Sequence, residues 1–381
     1  MSRFALTGAR ILAGDVFVEN HALVIAGGKI EAIVPQAPQG CDHIALHGGD
    51  LLPGFIDIQV NGGGGVLFND QTTVEGIAAI GAAHRRFGTT GFLPTLISDD
   101  IKVMDRAIDA VEQAIAHGLP GVLGIHLEGP FLNPARAGIH DPGHFRTIDD
   151  DLIERLTRLK GGRTVITLAP ERAPPGAIRK LAARGALVCA GHSAADYAQT
   201  KAALAEGVRG FTHLFNAMTP FTSREPGMVG AALDDSASWC GIIADLHHVH
   251  PTSLAVALRA KTPGHIFLVT DAMSTVGSHQ KTFMLGKTKI TAADGRLTGP
   301  DGTLAGSDLD MATAVRNMIA AVHCTPEAAI AMASAAPASF LGLQGNHGRI
   351  APGLAADLVH VNRAAGDAMA VLATWIAGVR A

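Results

Sequence analysis

The chain has 381 residues, of which 48% are hydrophobic and 17% are charged, so it is long enough to bury a large core. Its formal net charge is −4 and it contains no run of five or more lysines and arginines, which argues against a nucleic-acid or membrane-surface partner. No stretch reaches the roughly 18 apolar residues that a membrane span requires. We therefore expect a small-molecule partner.

The four cysteines, Cys41, Cys189, Cys240 and Cys324, are widely spaced and form no CxxC pair. Such spacing suits reduced thiols in a cytosol better than a disulfide framework. The first 15 residues contain no long apolar segment of the kind that secretory signals carry. The sequence therefore predicts a cytoplasmic protein.

The two ends of the chain have the pattern of short strands. The first 50 residues contain the strand-like segments FALTGARIL, DVFVEN and HALVIAGGKIEAIV, the last with a Gly-Gly-Lys turn typical of a hairpin. The tail contains two more, GRIAPGLAADLVHVN and MAVLATWIAGVRA, which are too short to bury themselves. We therefore predict a small β-sandwich domain formed by residues 1–52 and 348–381, with a larger domain, residues 53–347, inserted in it.

The larger domain alternates strand-like apolar runs with stretches of helical character. The runs are apolar nearly throughout, which indicates the α/β class and a closed (β/α)₈ barrel of the TIM type. There are eight of them: GFIDIQV, GTTGFLPTL, GVLGIHLEG, TVITLAPE, GALVCAGHS, GVRGFTHLFNA, CGIIADLHH and HIFLVTDAM. After the eighth run we predict a β excursion with Asp-Gly turns, followed by helices over residues 308–322 and 326–341.

In such a barrel the chemistry lies at the C-terminal ends of the strands. Polar residues end several of the runs, and we expect them to meet at one end of the barrel. They are Asp57, Gln59, Asn61, His126, Glu128, His192, His213, Asn216, Asp245, His247, His248 and Asp271.

A carboxylate that ends an apolar strand, as Glu128 does, needs a cation or several donors to offset its desolvation. One carboxylate and two imidazoles at the same end of a barrel match a catalytic zinc-type site with one position open for water. We therefore predict Glu128, His192 and His213 as metal ligands. Asp271 is not needed as a ligand and is the candidate general base, although it could instead cap the next segment. Isolated histidines such as His84, His117 and His265 are expected to be core or capping residues.

Longer motifs carry a resemblance to a known family. They are PGFIDIQVNGGGG, GIHLEGPFLNPARAGIHD, AGHSAADY, THLFNAMTPFTSREPGMVG, IADLHHVHP, LVTDAM, LAGSDLDM and GRIAPGLAADLV. In all of them the chain resembles the amidohydrolase superfamily and, within it, the deacetylases of N-acetylglucosamine 6-phosphate. The resemblance implies hydrolysis of that amino sugar phosphate to glucosamine 6-phosphate and acetate, with one divalent metal, zinc foremost, and Asp271 as general acid and base.

The resemblance also implies a set of substrate contacts and a homodimer. Arg224 would reach the substrate phosphate across the dimer interface into the neighbouring active site. The remaining contacts would come from Ile139, His140, Asn216, Ala217, His248, Leu304, Ala305 and Gly306. One departure from the family pattern is visible, because Leu246 stands where the usual Asp-Gly-x-His motif has glycine.

Several alternatives stay open. The same chemistry could act on N-acetylgalactosamine 6-phosphate or another N-acyl amide, since an epimer shifts only a few contacts. Ferrous iron and other divalent ions accept the same ligands as zinc. A catalytically silent barrel would be expected to have lost part of the ligand set, whereas Glu128, His192, His213 and Asp271 are all present.

Gln59 and Asn61 occupy positions where many metal-dependent hydrolases have two histidines. Alternate residues of a strand share a face, so both side chains are expected to point into the barrel end. Amide oxygens are weak neutral ligands, and the charges of Glu128 and Asp271 balance a single dication. We therefore predict one metal per chain, with Gln59 and Asn61 forming hydrogen bonds beside it.

Overall fold

A barrel of eight parallel strands forms the centre of the structure, a computed structural model that describes residues 3–362 and 369–381. Each strand pairs with the next one along the chain, as the apolar runs predict. The barrel strands, numbered from first to eighth in this order, are Phe55–Val60, Thr89–Ile97, Gly124–Glu128, Arg163–Leu168, Leu187–Ala190, Gly210–Phe211, Trp239–Ile243 and Ile266–Val269.

The barrel closes between the C-terminal end of its first strand and the residues that follow its eighth strand. The N–H of Asp271 donates to the carbonyl oxygen of Gln59 at 3.0 Å, and the N–H of Asn61 donates to that of Ala272 at 2.9 Å. A parallel bridge between Val60 and Ala272 adds to this contact. The closing hydrogen bonds therefore involve the residues that we predict for the site, and the predicted (β/α)₈ barrel is confirmed.

Helices cover the outside of the barrel, and their starts follow from local capping. Asp310, for example, accepts a hydrogen bond from the N–H of Thr313, so the predicted helix over 308–322 begins at Met311. The predicted helix over 326–341 is wrong as a single element, because Ser334, with φ of −138° and ψ of −73°, divides it in two. The α-helices are Val74–Arg85, Ile101–Ala116, Asp150–Leu156, Ala177–Ala183, Tyr197–Glu206, Gly227–Asp234, Pro251–Ala260, Met311–Ala320, Pro326–Ala333 and Ala335–Phe340. Short 3-10 turns are Pro134–Arg136, Pro142–His144 and Pro170–Arg172. None of the helices in the described ranges is both long enough and apolar enough to cross a membrane.

Two further sheets are built from the ends of the chain. A four-stranded sheet contains, in spatial order, Lys29–Val34, Ala22–Ala26, Phe4–Thr7 and Asp42–Ala45. A six-stranded sheet contains Val379–Arg380, Val371–Ile376, Leu358–Val361, Asp50–Pro53, Arg10–Ala13 and Val16–Val18. Buried residues from both ends of the chain share one core, among them Leu6, Leu51 and Trp375. The β-sandwich of N- and C-terminal segments is confirmed, while the division at residues 52/53 and 347/348 stays a prediction.

The first predicted strand, FALTGARIL, is two strands that belong to different sheets. The chain turns between them at Gly8, where φ is 86° and a Cβ would lie 2.2 Å from the carbonyl oxygen of Leu46. Only glycine fits such a position without strain. This turn lets the N-terminal segment contribute to both layers of the sandwich.

The β excursion after the eighth barrel strand is a three-stranded antiparallel sheet, Thr282–Leu285, Thr288–Ala293 and Arg296–Thr298. The turn between its last two strands has φ of 51° at Asp294 and 75° at Gly295, as an Asp-Gly hairpin turn requires. Its Ile290 and Leu297 are buried together with Met273, which follows the eighth barrel strand. This packing places the excursion beside the C-terminal end of the barrel.

Candidate active site

Three of the four residues predicted as metal ligands or base lie on backbone with a positive φ. The φ angle is 48° at His192, 35° at His213 and 53° at Asp271. Residues other than glycine avoid this left-handed region at a cost of about 1–3 kcal/mol unless their surroundings hold them there, and such strain concentrates at functional sites. All three residues follow the ends of barrel strands, so the strained turns lie at the end of the barrel where the site is expected.

Glu128, His192 and His213 converge on one point. The Nε2 atoms of the two histidines are 3.0 Å apart, and Oε1 of Glu128 lies 3.0 Å from His213 Nε2 and 3.2 Å from His192 Nε2. His192 Nδ1 lies 2.8 Å from the carbonyl oxygen of Arg136, which can only accept a hydrogen bond. Neutral His192 therefore carries its proton on Nδ1, and its Nε2 lone pair faces Glu128 and His213.

This buried group has the composition of a divalent metal site. Burial acts to raise the pKa of Glu128, but the two imidazoles that face its carboxylate, those of His192 and His213, hold that pKa well below its ordinary value, so the carboxylate is charged. A negative oxygen and two imidazole nitrogens within 3.2 Å of one another are the donors that a zinc-type ion accepts, with a position left for water. The residues present therefore fit a divalent metal.

Asp271 lies beside this group and is held by two amides. Its Oδ1 accepts hydrogen bonds from Asn61 Nδ2 at 2.7 Å and from Gln59 Nε2 at 3.2 Å. The same Gln59 nitrogen lies 3.2 Å from both oxygens of Glu128, so it bridges the two carboxylates. Burial, and then the negative charge of Glu128, raise the pKa of Asp271 above its ordinary value. Gln59 thus contacts both carboxylates and Asn61 contacts that of Asp271, so both amides form hydrogen bonds beside the predicted metal ligands.

His140 lies next to His192, with ring centroids 4.5 Å apart, but it differs from His192 in its tautomer. The backbone N–H of Ser98 donates to His140 Nδ1 at 3.3 Å, so neutral His140 carries its proton on Nε2. Burial, followed by repulsion from His192, lowers the pKa of His140 to about 3. A ring nitrogen of His140 lies within 4.8 Å of ligand atoms of Glu128 and His192, close enough for a shared metal ion. In this tautomer, however, Nε2 of His140 is a hydrogen-bond donor and not a metal ligand.

His248 is oriented by Asp245. Oδ2 of Asp245 accepts a hydrogen bond from His248 Nδ1 at 2.6 Å, while Oδ1 accepts from the backbone N–H groups of His247 and His248. Leu246, which replaces the glycine of the family pattern, has a φ of 66°. Leucine therefore adopts a conformation that glycine would adopt freely, at a cost of about 1–3 kcal/mol. The Asp245 hydrogen bonds keep the turn in place despite this substitution.

These residues surround a cavity of about 240 Å³. Among its described lining residues there is no lysine or arginine. The predicted residues that line it are Asn61, Glu128, Ile139, His140, His192, His213, Asn216, Ala217, His248, Asp271, Leu304 and Gly306. Gln59 and Ala305 are buried behind this surface, and Arg224 is exposed on a loop outside it.

Two polar residues that end apolar runs lie inside the barrel and do not line the cavity. Asp57 accepts a hydrogen bond from the hydroxyl of Thr270 at 2.5 Å. His126 contacts the carbonyl oxygen of Ile58 and the hydroxyl of Thr167. Since residues of a strand alternate between two faces, the sequence alone does not reveal how deep in the barrel each one lies.

Our predictions include no residue at the end of the fourth barrel strand, yet Glu171 stands there. It accepts hydrogen bonds from Asn133, Ser193 and Ala194, which surround His192. The signal was present in the run that ends in Ala-Pro-Glu, a carboxylate following a buried strand. Nothing in the sequence showed which groups that carboxylate would contact.

Comparison with known families agrees with this geometry. The profile of the amidohydrolase family matches residues 51–381, and that of the NagA composite domain matches residues 3–51. The chain belongs to the amidohydrolase family. Its metal-compatible group of two histidines and a carboxylate at the C-terminal end of a barrel is therefore the candidate active site of an amidohydrolase.

Curated amidohydrolase relatives cover nearly the whole chain. An N-acetylgalactosamine-6-phosphate deacetylase from Shewanella sp. (strain ANA-3) is 44% identical over 97% of this chain and 94% of its own length. The N-acetylglucosamine-6-phosphate deacetylase of Homo sapiens is 37% identical over 98% of this chain and 94% of its own. The relatives thus divide between two epimeric substrates.

Solved amidohydrolase structures have the same fold. The N-acetylglucosamine-6-phosphate deacetylase from Pasteurella multocida superposes with a TM-score of 0.94 at 30% identity, covering 100% of this chain and 99% of that one. A second structure is that of a mutant N-acetyl-D-glucosamine-6-phosphate deacetylase from Mycobacterium smegmatis in complex with N-acetyl-D-glucosamine-6-phosphate. It superposes with a TM-score of 0.90 at 32% identity, covering 100% of this chain and 99% of that one.

Proposed function

We propose that this amidohydrolase deacetylates N-acetyl-D-glucosamine 6-phosphate, giving D-glucosamine 6-phosphate and acetate. The observation that carries the proposal is the convergence of Glu128, His192 and His213 within 3.2 Å of one another, with Asp271 beside them in the same buried cavity. The named activities of the full-length relatives supply the substrate class. Amino sugar catabolism in the cytoplasm is the setting that this reaction implies.

We infer that one divalent ion, zinc foremost, is held by Glu128, His192 and His213. When bound, such an ion lowers the pKa of a water and polarises the acetyl carbonyl. Gln59 and Asn61 offer neutral amides where a second ion would need anionic or imidazole ligands, and both donate hydrogen bonds to Asp271. This supports a single ion per chain. Two tightly bound ions per chain in the unmodified protein would contradict it.

Amide hydrolysis also needs a base, a proton for the poor amine leaving group and a donor to the developing oxyanion. Asp271 removes a proton from the attacking water and returns it to the departing nitrogen, so one carboxyl serves both steps. His140 donates a hydrogen bond from its Nε2–H to the carbonyl oxygen as negative charge develops there, and keeps its proton. Oδ1 of Asn61 is buried at the cavity without a hydrogen-bond partner among the described residues, so it can accept one from the substrate.

The phosphate group requires a cation that the cavity lining of one chain does not provide. Arg224 is exposed, and it lies three residues from Phe221, an apolar side chain that is 64% exposed. We infer a homodimer in which this loop packs on the neighbouring copy and Arg224 binds the phosphate there, since its planar fork matches phosphate oxygens. His248, oriented by Asp245, would contact the phosphate from within the same chain.

A second candidate is the same reaction on N-acetyl-D-galactosamine 6-phosphate. The observation that favours it is the 44% identity with the Shewanella relative, which carries that name. The two substrates differ at one hydroxyl, so most of the site would serve either of them.

The test is the specificity constant for acetate release by purified protein whose metal content has been measured. The panel contains both N-acetylhexosamine 6-phosphates and unphosphorylated N-acetylglucosamine. We expect about one divalent ion per chain and a higher kcat/KM for the phosphorylated sugars than for the unphosphorylated one. The ratio between the two epimers decides between the candidate substrates. Absence of activity with every divalent metal tried would favour the catalytically silent barrel.

A further inference from the structure

Glu171 is the centre of a hydrogen-bond network beside His192. Its Oε1 accepts from Asn133 Nδ2 at 2.8 Å and from the backbone N–H of Ala194 at 2.7 Å. Its Oε2 accepts from the hydroxyl of Ser193 at 2.6 Å. Buried or half-buried carboxylates are commonly held by cations, whereas these three donors are uncharged. Glu171 therefore holds together the segments that carry these three donors.

One branch of the network acts on the backbone of His192. Ser193 and Ala194 follow His192 directly, and both are bonded to Glu171. Because the φ of His192 is 48°, its turn persists only if neighbouring contacts hold it. The backbone N–H of Ser193 also donates to the carbonyl oxygen of Ala217 at 3.0 Å, which ties this turn to the predicted substrate-binding segment.

The other branch acts on the imidazole of His192 through Asn133. The backbone N–H of Asn133 donates to the carbonyl oxygen of His192 at 3.0 Å. Its side-chain oxygen caps the 3-10 turn Pro134–Arg136 by accepting from the N–H of Ala135 at 2.9 Å. The carbonyl oxygen of Arg136, the last residue of that turn, accepts the Nδ1 proton of His192. Asn133 thus positions the carbonyl group that determines the tautomer of His192.

We propose that Glu171 is the positioning residue of the metal site. It joins the turn after the fourth barrel strand to both segments that hold His192, and so keeps the Nε2 lone pair directed at Glu128 and His213. Removing the direct hydrogen-bond partner of a ligating histidine typically changes metal affinity by about 10–100-fold. That partner is here the carbonyl of Arg136, on which Glu171 acts through Asn133. The inference rests on the proposed metal site and concerns a residue outside the ligand set.

The test is the dissociation constant for Zn²⁺, measured by competition with a chromophoric chelator. We expect Glu171→Ala to weaken Zn²⁺ binding by about 10-fold, the lower end of that range, because Glu171 acts on His192 through neighbouring residues. Glu171→Gln should stay within a few-fold of the wild type, because its oxygen still accepts from Asn133 and Ala194 and its nitrogen donates to the Ser193 hydroxyl. Glu154→Ala, which removes an exposed carboxylate from the helix Asp150–Leu156, is the matched control and should bind Zn²⁺ like the wild type.

A second readout separates positioning from a merely structural role. A structural role predicts that Glu171→Ala lowers the Tm equally with and without Zn²⁺. A positioning role predicts that the rise in Tm on adding Zn²⁺ becomes smaller, since each tenfold loss of affinity removes about 1.4 kcal/mol of stabilisation at saturating metal.

The possible outcomes are distinct. Wild-type affinity for Zn²⁺ in Glu171→Ala overturns the inference and leaves the metal site in place, whereas a wild-type protein that binds no divalent ion overturns both. Should Glu171→Ala fail to fold, Asn133→Ala and Ser193→Ala each remove one branch of the network. Both are expected to weaken Zn²⁺ binding several-fold, and unchanged affinity in both would equally overturn the inference.

Discussion

The substitution Asp57→Asn is expected to alter how the stability of the barrel depends on pH. Asp57 is fully buried, and burial raises its pKa from 3.8 to about 7 although hydrogen bonds from Thr270 and Gln59 act in the opposite direction. The native protein therefore holds a proton more tightly than the unfolded chain does. The stability that this proton contributes is fully present below pH 3.8 and is lost as the pH rises toward 7.

The magnitude follows from the size of the shift. At about 1.4 kcal/mol per pKa unit, the whole loss approaches about 4 kcal/mol, of which about 3 kcal/mol falls between pH 5 and pH 8. Asparagine removes the titration and keeps the contacts, because its oxygen can accept from the N–H groups of Gln59 and Thr270 while its nitrogen donates to the Thr270 hydroxyl.

The assay is chemical denaturation of metal-free wild type and Asp57→Asn at both pH values. The quantity compared is the difference in free energy of unfolding between the two proteins, in which the other titrating groups cancel. We expect Asp57→Asn to gain about 3 kcal/mol relative to the wild type on going from pH 5 to pH 8. An equal difference at the two pH values would refute the idea that this buried carboxyl titrates near neutral pH.

Further predictions concern the site. Asp271→Asn should lower kcat by about 10²–10⁴-fold at unchanged metal content, and retention of activity would remove Asp271 as the base. His140→Ala should lower kcat by about 10²–10³-fold. His140→Gln should lower kcat by less, because the glutamine amide can still donate a hydrogen bond to the oxyanion. Equal losses in the two variants would count against a donor role for His140. Since the pKa of His140 is lowered to about 3, neither variant should remove an inflection from the kcat profile between pH 5 and pH 9. Arg224→Ala should raise KM for the phosphorylated sugar far more than for its unphosphorylated analogue, and equal effects on both would exclude Arg224 from the phosphate site.

The barrel was predictable because each of its strands is a nearly unbroken apolar run, and burial on both faces leaves that pattern in the sequence. The β excursion was equally predictable, since Asp294 and Gly295 form the hairpin turn that an Asp-Gly pair favours. The break between two helices at Ser334 was not predictable, because the apolar pattern of the two helices continues through it.

The residue types that meet at the candidate site were predictable, whereas their geometry was less so. Polar residues that end apolar strands identify Glu128 and Asp271, but the positive φ of Asp271 depends on contacts made across the barrel. The difference between His140 and His192 lies in their tautomers, which neighbouring N–H and carbonyl groups determine. Glu171 was not predicted for a similar reason, since its hydrogen-bond partners lie 22 or more residues away along the chain.

The hydrogen bonds that close the barrel have a consequence for the order of assembly. The strands that they join are the first and the last of the barrel, and the carboxylate of Asp271 meets Gln59 and Asn61 only once that contact has formed. A nascent chain still emerging from a ribosome lacks the proposed base until the segment around Asp271 has been released and has paired with a strand made more than 200 residues earlier. Proteolytic fragments that end before this point are expected to be inactive for the same reason, however much of the barrel they retain.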